Sequence, residues 1–80
     1  MKTADPELMR AINRFHVMDA IRRLGPISRV EISDFTELSA TTVSAITAAL
    51  LDDRLIIPIP VGAVRDAGRG RPRVMLKLNP

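Results

Sequence analysis

The sequence predicts an α+β domain in which three helices are followed by a two-stranded β-hairpin. Two observations carry that expectation. Apolar residues recur at three-to-four spacing until about residue 53, and at spacing two from there onward. Three helix-start signals, at Asp5-Pro6-Glu7, Ser28-Arg29-Val30-Glu31 and Ser39, divide the helical part into three. The size agrees, since 80 residues amount to one small domain. A chain of this length buries only about 60% of its unfolded surface, so there is little room for an enclosed substrate pocket.

The first helix is expected over 6–24. Asp5 caps it, Pro6 occupies its first position, Glu7 sits in its first turn, and Gly25-Pro26 stops it. Its apolar residues fall on two faces more than about 90° apart. Val17, Ile21 and Leu24 form one, and Leu8, Ile12, Phe15 and Met18 form the other. A domain this small has core enough for one face. The second stripe is therefore the expected dimer interface, or the seat of a neighbouring domain.

Ser28 and Glu31 form a capping box that opens a short helix over 28–36, with Val30, Ile32 and Phe35 offered to the core. Ser39 caps a third helix over 39–53, on which Val43, Ile46, Ala49 and Leu50 should face inward. Thr41, Thr42, Ser44, Ala45, Thr47 and Ala48 are left to solvent. Two helices joined by so short a turn, the second polar-faced, form a helix-turn-helix pattern.

The strands are expected over 55–59 and 73–78, where Val74, Leu76 and Leu78 alternate with Arg73, Met75 and Lys77. Pro58 and Pro60 lie two apart, so both missing amides point to one edge, and the hairpin partner must lie on the other. Between the strands runs a long loop, 61–72. Hairpin loops are usually two to five residues, so one this long is functional or mobile. The whole is a single winged helix-turn-helix over residues 1–80.

Charge is distributed unevenly. Residues 1–63 hold seven cations and eight anions, whereas residues 64–80 hold Arg65, Arg69, Arg71, Arg73 and Lys77 against Asp66 alone. The overall +3 thus comes from the wing end, which points to an anionic partner there. There is no cysteine, which excludes disulfides, thiolate nucleophiles and thiolate metal sites. The lone His16 has no partner at metal-ligand spacing, and Asp52 and Asp53 are adjacent and so diverge on a helix. No catalytic residue, metal or cofactor is expected. No apolar run approaches a membrane span and no signal-peptide pattern opens the chain, so a cytoplasmic protein without membrane contact is expected.

Five segments in register give a family resemblance over roughly residues 10–80. They are Gly25-Pro26-Ile27-Ser28-Arg29-Val30-Glu31-Ile32, Leu38-Ser39-Ala40-Thr41-Thr42-Val43-Ser44, Leu55-Ile56, Gly70-Arg71-Pro72 and Leu76-Lys77-Leu78-Asn79-Pro80. The chain closely resembles the N-terminal domain of ROK-family (repressor, open reading frame, kinase) transcriptional regulators. There a MarR-like winged helix precedes a longer sugar-kinase-like domain that binds the inducing sugar. The resemblance implies operator binding by a dimeric repressor of sugar-related genes. It places no small-molecule effector site in this chain, which is either a domain cut from a longer regulator or a free-standing short relative. The family usually has Gly where this sequence has Glu37 and Arg54. Both positions often need positive φ, which costs a non-glycine residue on the order of 1 kcal/mol.

The expected DNA-binding residues fall in three groups. On the third helix Ser39, Thr41, Thr42, Ser44 and Ala45 offer hydroxyls and small apolar groups, without the Arg, Lys, Asn or Gln of bidentate base contacts. Ser28 and Arg29 stand at a helix N-terminus as a phosphate clamp; otherwise Arg29 is a solvated arginine on a capping box. Arg69-Gly70-Arg71-Pro72-Arg73 resembles an AT-hook core, extended in a narrow A·T minor groove. Its alternatives are a basic wing touching phosphates only, or an interdomain linker. A winged helix used for protein–protein assembly remains the rival to the DNA reading.

Overall fold

The computed structural model of the chain describes residues 5–61 and 73–80, with Pro60, Val61 and Arg73 through their backbone alone. Helices α1 (Pro6–Leu24), α2 (Arg29–Thr36) and α3 (Ala40–Asp52) are followed by strands β1 (Ile56–Val61) and β2 (Arg73–Leu78). The element order follows the expectation, but β1 runs past the expected end at 59 and takes in Val61, which was expected to begin the wing loop. The wing loop, with Arg69, Gly70 and Arg71, lies outside the described residues.

The local signals act as their chemistry requires. The Asp5 carboxylate accepts the amides of Glu7 and Leu8 at 3.1 and 3.3 Å. At the other end of α1 the Gly25 amide donates to the Ile21 carbonyl, and a β-carbon at Gly25 would collide with that same oxygen. The Gly25–Pro26 peptide bond is cis. The Ser28 hydroxyl accepts the Glu31 amide at 3.2 Å while the Ser28 amide donates to the Glu31 carboxylate at 2.9 Å. This is the reciprocal capping box.

β1 and β2 pair antiparallel, with Pro58 opposite Leu76 and Pro60 opposite Val74. Leu76 turns both its backbone groups the other way, exchanging hydrogen bonds of 2.8 and 3.0 Å with Ile27. Pro58 therefore faces a position that asks nothing of its missing amide. Ile27, between α1 and α2, thus acts as a one-residue third strand and ties the helical layer to the hairpin.

The core consists of Val17, Ile21, Ile27, Ile32, Val43, Leu50, Ile56 and Leu76, with Met18, Leu38, Ile46, Leu51 and Leu78 packed against it. Every element contributes, so the helix-turn-helix and the hairpin share one core.

Several inward assignments are corrected. Val30 is 71% exposed and Phe35 52%. Val30 precedes the buried Ile32 by two residues, about 200° around a helix, so the two cannot share a face. Ala49 is exposed, because it stands about 100° from its buried neighbour Leu50. Leu24 is half-exposed where α1 runs past the core. Thr47 is the opposite error. It was expected in solvent, yet it is fully buried with its hydroxyl donating to the Val43 carbonyl at 2.9 Å. Bonding back to the preceding turn satisfies the one polar atom that would otherwise bar a threonine from the core.

Both residues standing where glycine was expected take positive φ, Glu37 at 65° and Arg54 at 63°. At the end of α3 the Leu55 amide bonds the Leu50 carbonyl and the Arg54 amide bonds the Leu51 carbonyl, each at 3.0 Å. That pair of bonds is a Schellman motif with arginine in its left-handed position. Asn79 braces it, donating its side-chain amide to the Arg54 carbonyl at 2.8 Å. After α2, the Ser33 hydroxyl donates to the Leu38 carbonyl at 2.6 Å and Thr36 accepts the Leu38 amide at 3.3 Å. These side chains hold the turn that glycine would otherwise ease.

Candidate nucleic-acid interface

The turn after α2 delivers α3 with its N-terminus open. The Ser39 hydroxyl accepts the Thr42 amide at 3.1 Å and donates to the Thr42 hydroxyl at 2.9 Å, so these two residues form one local unit at the helix start. At about 100° per residue, Thr41, Ser44, Ala45 and Ala48 fall on one side of α3. All four are exposed, as is Ser39, and Thr42 is half-buried at the edge. The opposite side, through Val43, Thr47 and Leu50, is locked in the core. A helix so held presents a fixed, smooth surface in which no side chain is longer than a threonine until Asp52.

Each edge of that surface carries arginine. On one edge the half-buried Arg29, at the start of α2, donates its Nε–H to the Thr47 hydroxyl at 3.2 Å. Among the described residues no hydrogen bond or ion pair involves its two terminal nitrogens. Ser28 beside it is 7% exposed, with its hydroxyl already accepting in the capping box, so Arg29 is the better placed of the pair to meet a phosphate. On the other edge, Arg10, Asn13 and Arg14 of α1 line an open groove of about 470 Å³ with Thr41, Thr42, Ala45, Ile46 and Ala49. Sequence reasoning assigned nothing to these α1 residues. The packing of α1 against α3, which brings them there, leaves no local signature in the sequence.

Arg73 begins β2, but its side chain, like the wing arginines, lies outside the described residues. The second apolar stripe is in place. Leu8, Ile12 and Phe15 are exposed, Phe15 to 63%, whereas Met18 is half-buried against the core. Among the described residues no group of three or more His, Asp or Glu is arranged to hold a metal, and no helix is long and apolar enough to cross a membrane.

Three helices with a capped turn before an open, small-residue third helix, backed by a two-stranded hairpin, define a winged helix-turn-helix. Comparison with known proteins places it further. The chain is 32% identical over 79 residues to the xylose repressor of Bacillus spizizenii, covering 99% of this chain and 20% of that protein. Its fold matches the crystal structure of a ROK family transcriptional regulator, a homolog of the E. coli MLC protein, with a TM-score of 0.69 and 38% identity. That match covers 89% of this chain and 17% of the other. No protein-family model matches. The chain is a winged-helix domain similar to the N-terminal part of these ROK-type regulators, and it spans about a fifth of their length.

Proposed function

We propose that residues 1–80 act as one operator-binding unit of a ROK-type transcriptional regulator, a cytoplasmic repressor of sugar-related genes that binds double-stranded DNA as a homodimer. The observation that carries this reading is the exposed side of α3: small, anchored from behind by Val43, Thr47 and Leu50, and flanked by arginines. Such a surface seats deeply in a major groove about 12 Å wide, where Thr and Ser hydroxyls reach base edges and phosphates and Ala45 meets a thymine methyl.

In this reading Ser39, Thr41, Thr42, Ser44 and Ala45 occupy the major groove. Arg29, with Ser28 setting the start of its helix, takes a phosphate. Arg69, Gly70, Arg71 and Arg73 follow the adjacent minor groove. Leu8, Ile12, Phe15 and Met18 pack against a second copy, placing two α3 helices one DNA turn apart. Repression is by occupancy. The chain performs no catalysis, uses no cofactor and holds no effector site.

One observation favours a second reading, a protein-interaction module. The exposed side of α3 has no long donor, and α2 exposes Val30 and Phe35. Selection of bound duplexes from a random pool, followed by sedimentation of the complex, separates the two. Recovery of a shared, pseudo-palindromic sequence bound by two protein copies is expected. A pool with no enriched sequence would leave the interaction module as the better account.

A further inference from the structure

We infer that the groove between α1 and α3 is a second phosphate-backbone site, with Arg10 as its principal cation and Asn13 as a neutral donor beside it. The inference rests on the DNA-binding reading and adds to it a contact made by α1.

Geometry comes first. Around α3, Thr47 lies about 120° to one side of the centre of the exposed face, whereas Thr42, Ala49 and Ile46 lie about 80–140° to the other. Arg29 marks the first edge through its bond to Thr47, and Arg10, Asn13 and Arg14 mark the second. The groove is continuous with the exposed face, since Thr41 and Ala45 belong to both and Thr42 lies at the edge between them. A helix lying in the major groove has a phosphate strand along each side. The two arginine edges therefore stand where the two strands pass.

Charge agrees. The groove lining includes Arg10 and Arg14 and no carboxylate. Arg14 is already engaged, its guanidinium 3.1 Å from the Asp53 carboxylate at the end of α3. Arg10, one turn earlier on the same side of α1, is exposed and makes no ion pair or hydrogen bond among the described residues. The Arg14–Asp53 pair occupies Arg14 at the end of α3, and Arg10 is left without an ion pair among the described residues. A cation without an ion pair among the described residues, beside the Asn13 amide and the Thr41 and Thr42 hydroxyls in a groove lined by no carboxylate, fits a phosphate diester.

The test uses the full chain with two duplexes, one recovered from random-pool selection and one of scrambled sequence, titrated across salt concentrations. Arg10→Ala is expected to weaken both duplexes by the same several-fold factor and to lower the log–log salt slope by about 0.9 per bound protomer, the value for one phosphate. Arg10→Lys should restore most of the slope. Arg10 is exposed, so the melting temperature should not move. An Arg10→Ala slope equal to wild type, with wild type binding DNA normally, overturns the α1 contact and leaves the DNA-binding reading intact. Failure of wild type to bind either duplex overturns both.

Discussion

Along its exposed side α3 carries Thr41, Ser44, Ala45 and Ala48, none longer than a threonine, whereas the cations at its two edges, Arg29 and Arg10, stand on other helices. The two regions differ in what they can contribute. Short side chains allow close approach but supply few directional bonds, and arginines on neighbouring helices reach charge but read no bases from where they stand. Fit and affinity are thus divided between separate elements, and each should fail separately when altered.

The largest effect is expected where the smooth face is roughened. Ala45→Glu places bulk and an unpaired negative charge against the DNA, an arrangement that costs on the order of 3 kcal/mol or more. Binding of any duplex should fall by more than about 100-fold at unchanged melting temperature, measured by fluorescence anisotropy. Retained affinity would remove α3 from the interface.

Next come the arginines. Arg71→Ala should relax the preference for A·T-rich over G·C-rich sites by about 1–3 kcal/mol, as loss of a groove contact does. Arg29→Ala should instead weaken both classes equally and reduce the salt slope by about 0.9 per bound protomer. Equal behaviour of the two variants would merge the wing and the α2 edge into one nonspecific cationic surface.

A subtler change lies beneath the face. Thr47→Val keeps the shape and removes the hydroxyl that holds Arg29. The lost hydrogen bonds should cost about 1 kcal/mol in denaturant unfolding. In a double-mutant cycle for DNA affinity, Thr47→Val and Arg29→Ala should be less than additive, because the first acts through the second. Strict additivity would mean that Thr47 does not position Arg29.

The smallest effect concerns the two left-handed residues. Glycine at Glu37 or Arg54 relieves strain of about 1–2 kcal/mol and returns about 0.4–1 kcal/mol to the unfolded chain as entropy. Each substitution should stabilise by about 1 kcal/mol or less in urea unfolding, with DNA affinity unaltered.

What was legible in the sequence was whatever is encoded locally. Asp5, the Ser28–Glu31 box, Ser39 and Gly25 act within a few residues of themselves, so helix starts and stops could be read directly. The paired prolines fixed the free edge of β1 by backbone chemistry alone. Positive φ at Glu37 and Arg54 came from resemblance rather than residue type, since neither residue favours it. The errors came from tertiary packing. An eight-residue α2 buries one apolar residue and leaves Val30 and Phe35 out, and no periodicity argument foresees so narrow a buried side. Thr47 reads as polar, yet its hydroxyl is satisfied by its own helix and by an arginine 18 residues away. Nothing in the local sequence distinguishes Arg10, which reaches the exposed side of α3 only through the packing of α1 against it.

The central claim, that the exposed side of α3 enters DNA between two arginine edges, is tested most directly by backbone and arginine side-chain NMR of the 80-residue chain during titration with a selected duplex. The account predicts the largest shift changes at Thr41, Thr42, Ser44 and Ala45 and at the guanidinium signals of Arg29 and Arg10, with little change in the core around Ile32 and Leu76. Changes confined to Leu8, Ile12, Phe15 and the exposed Val30 and Phe35, with α3 unmoved, would contradict it.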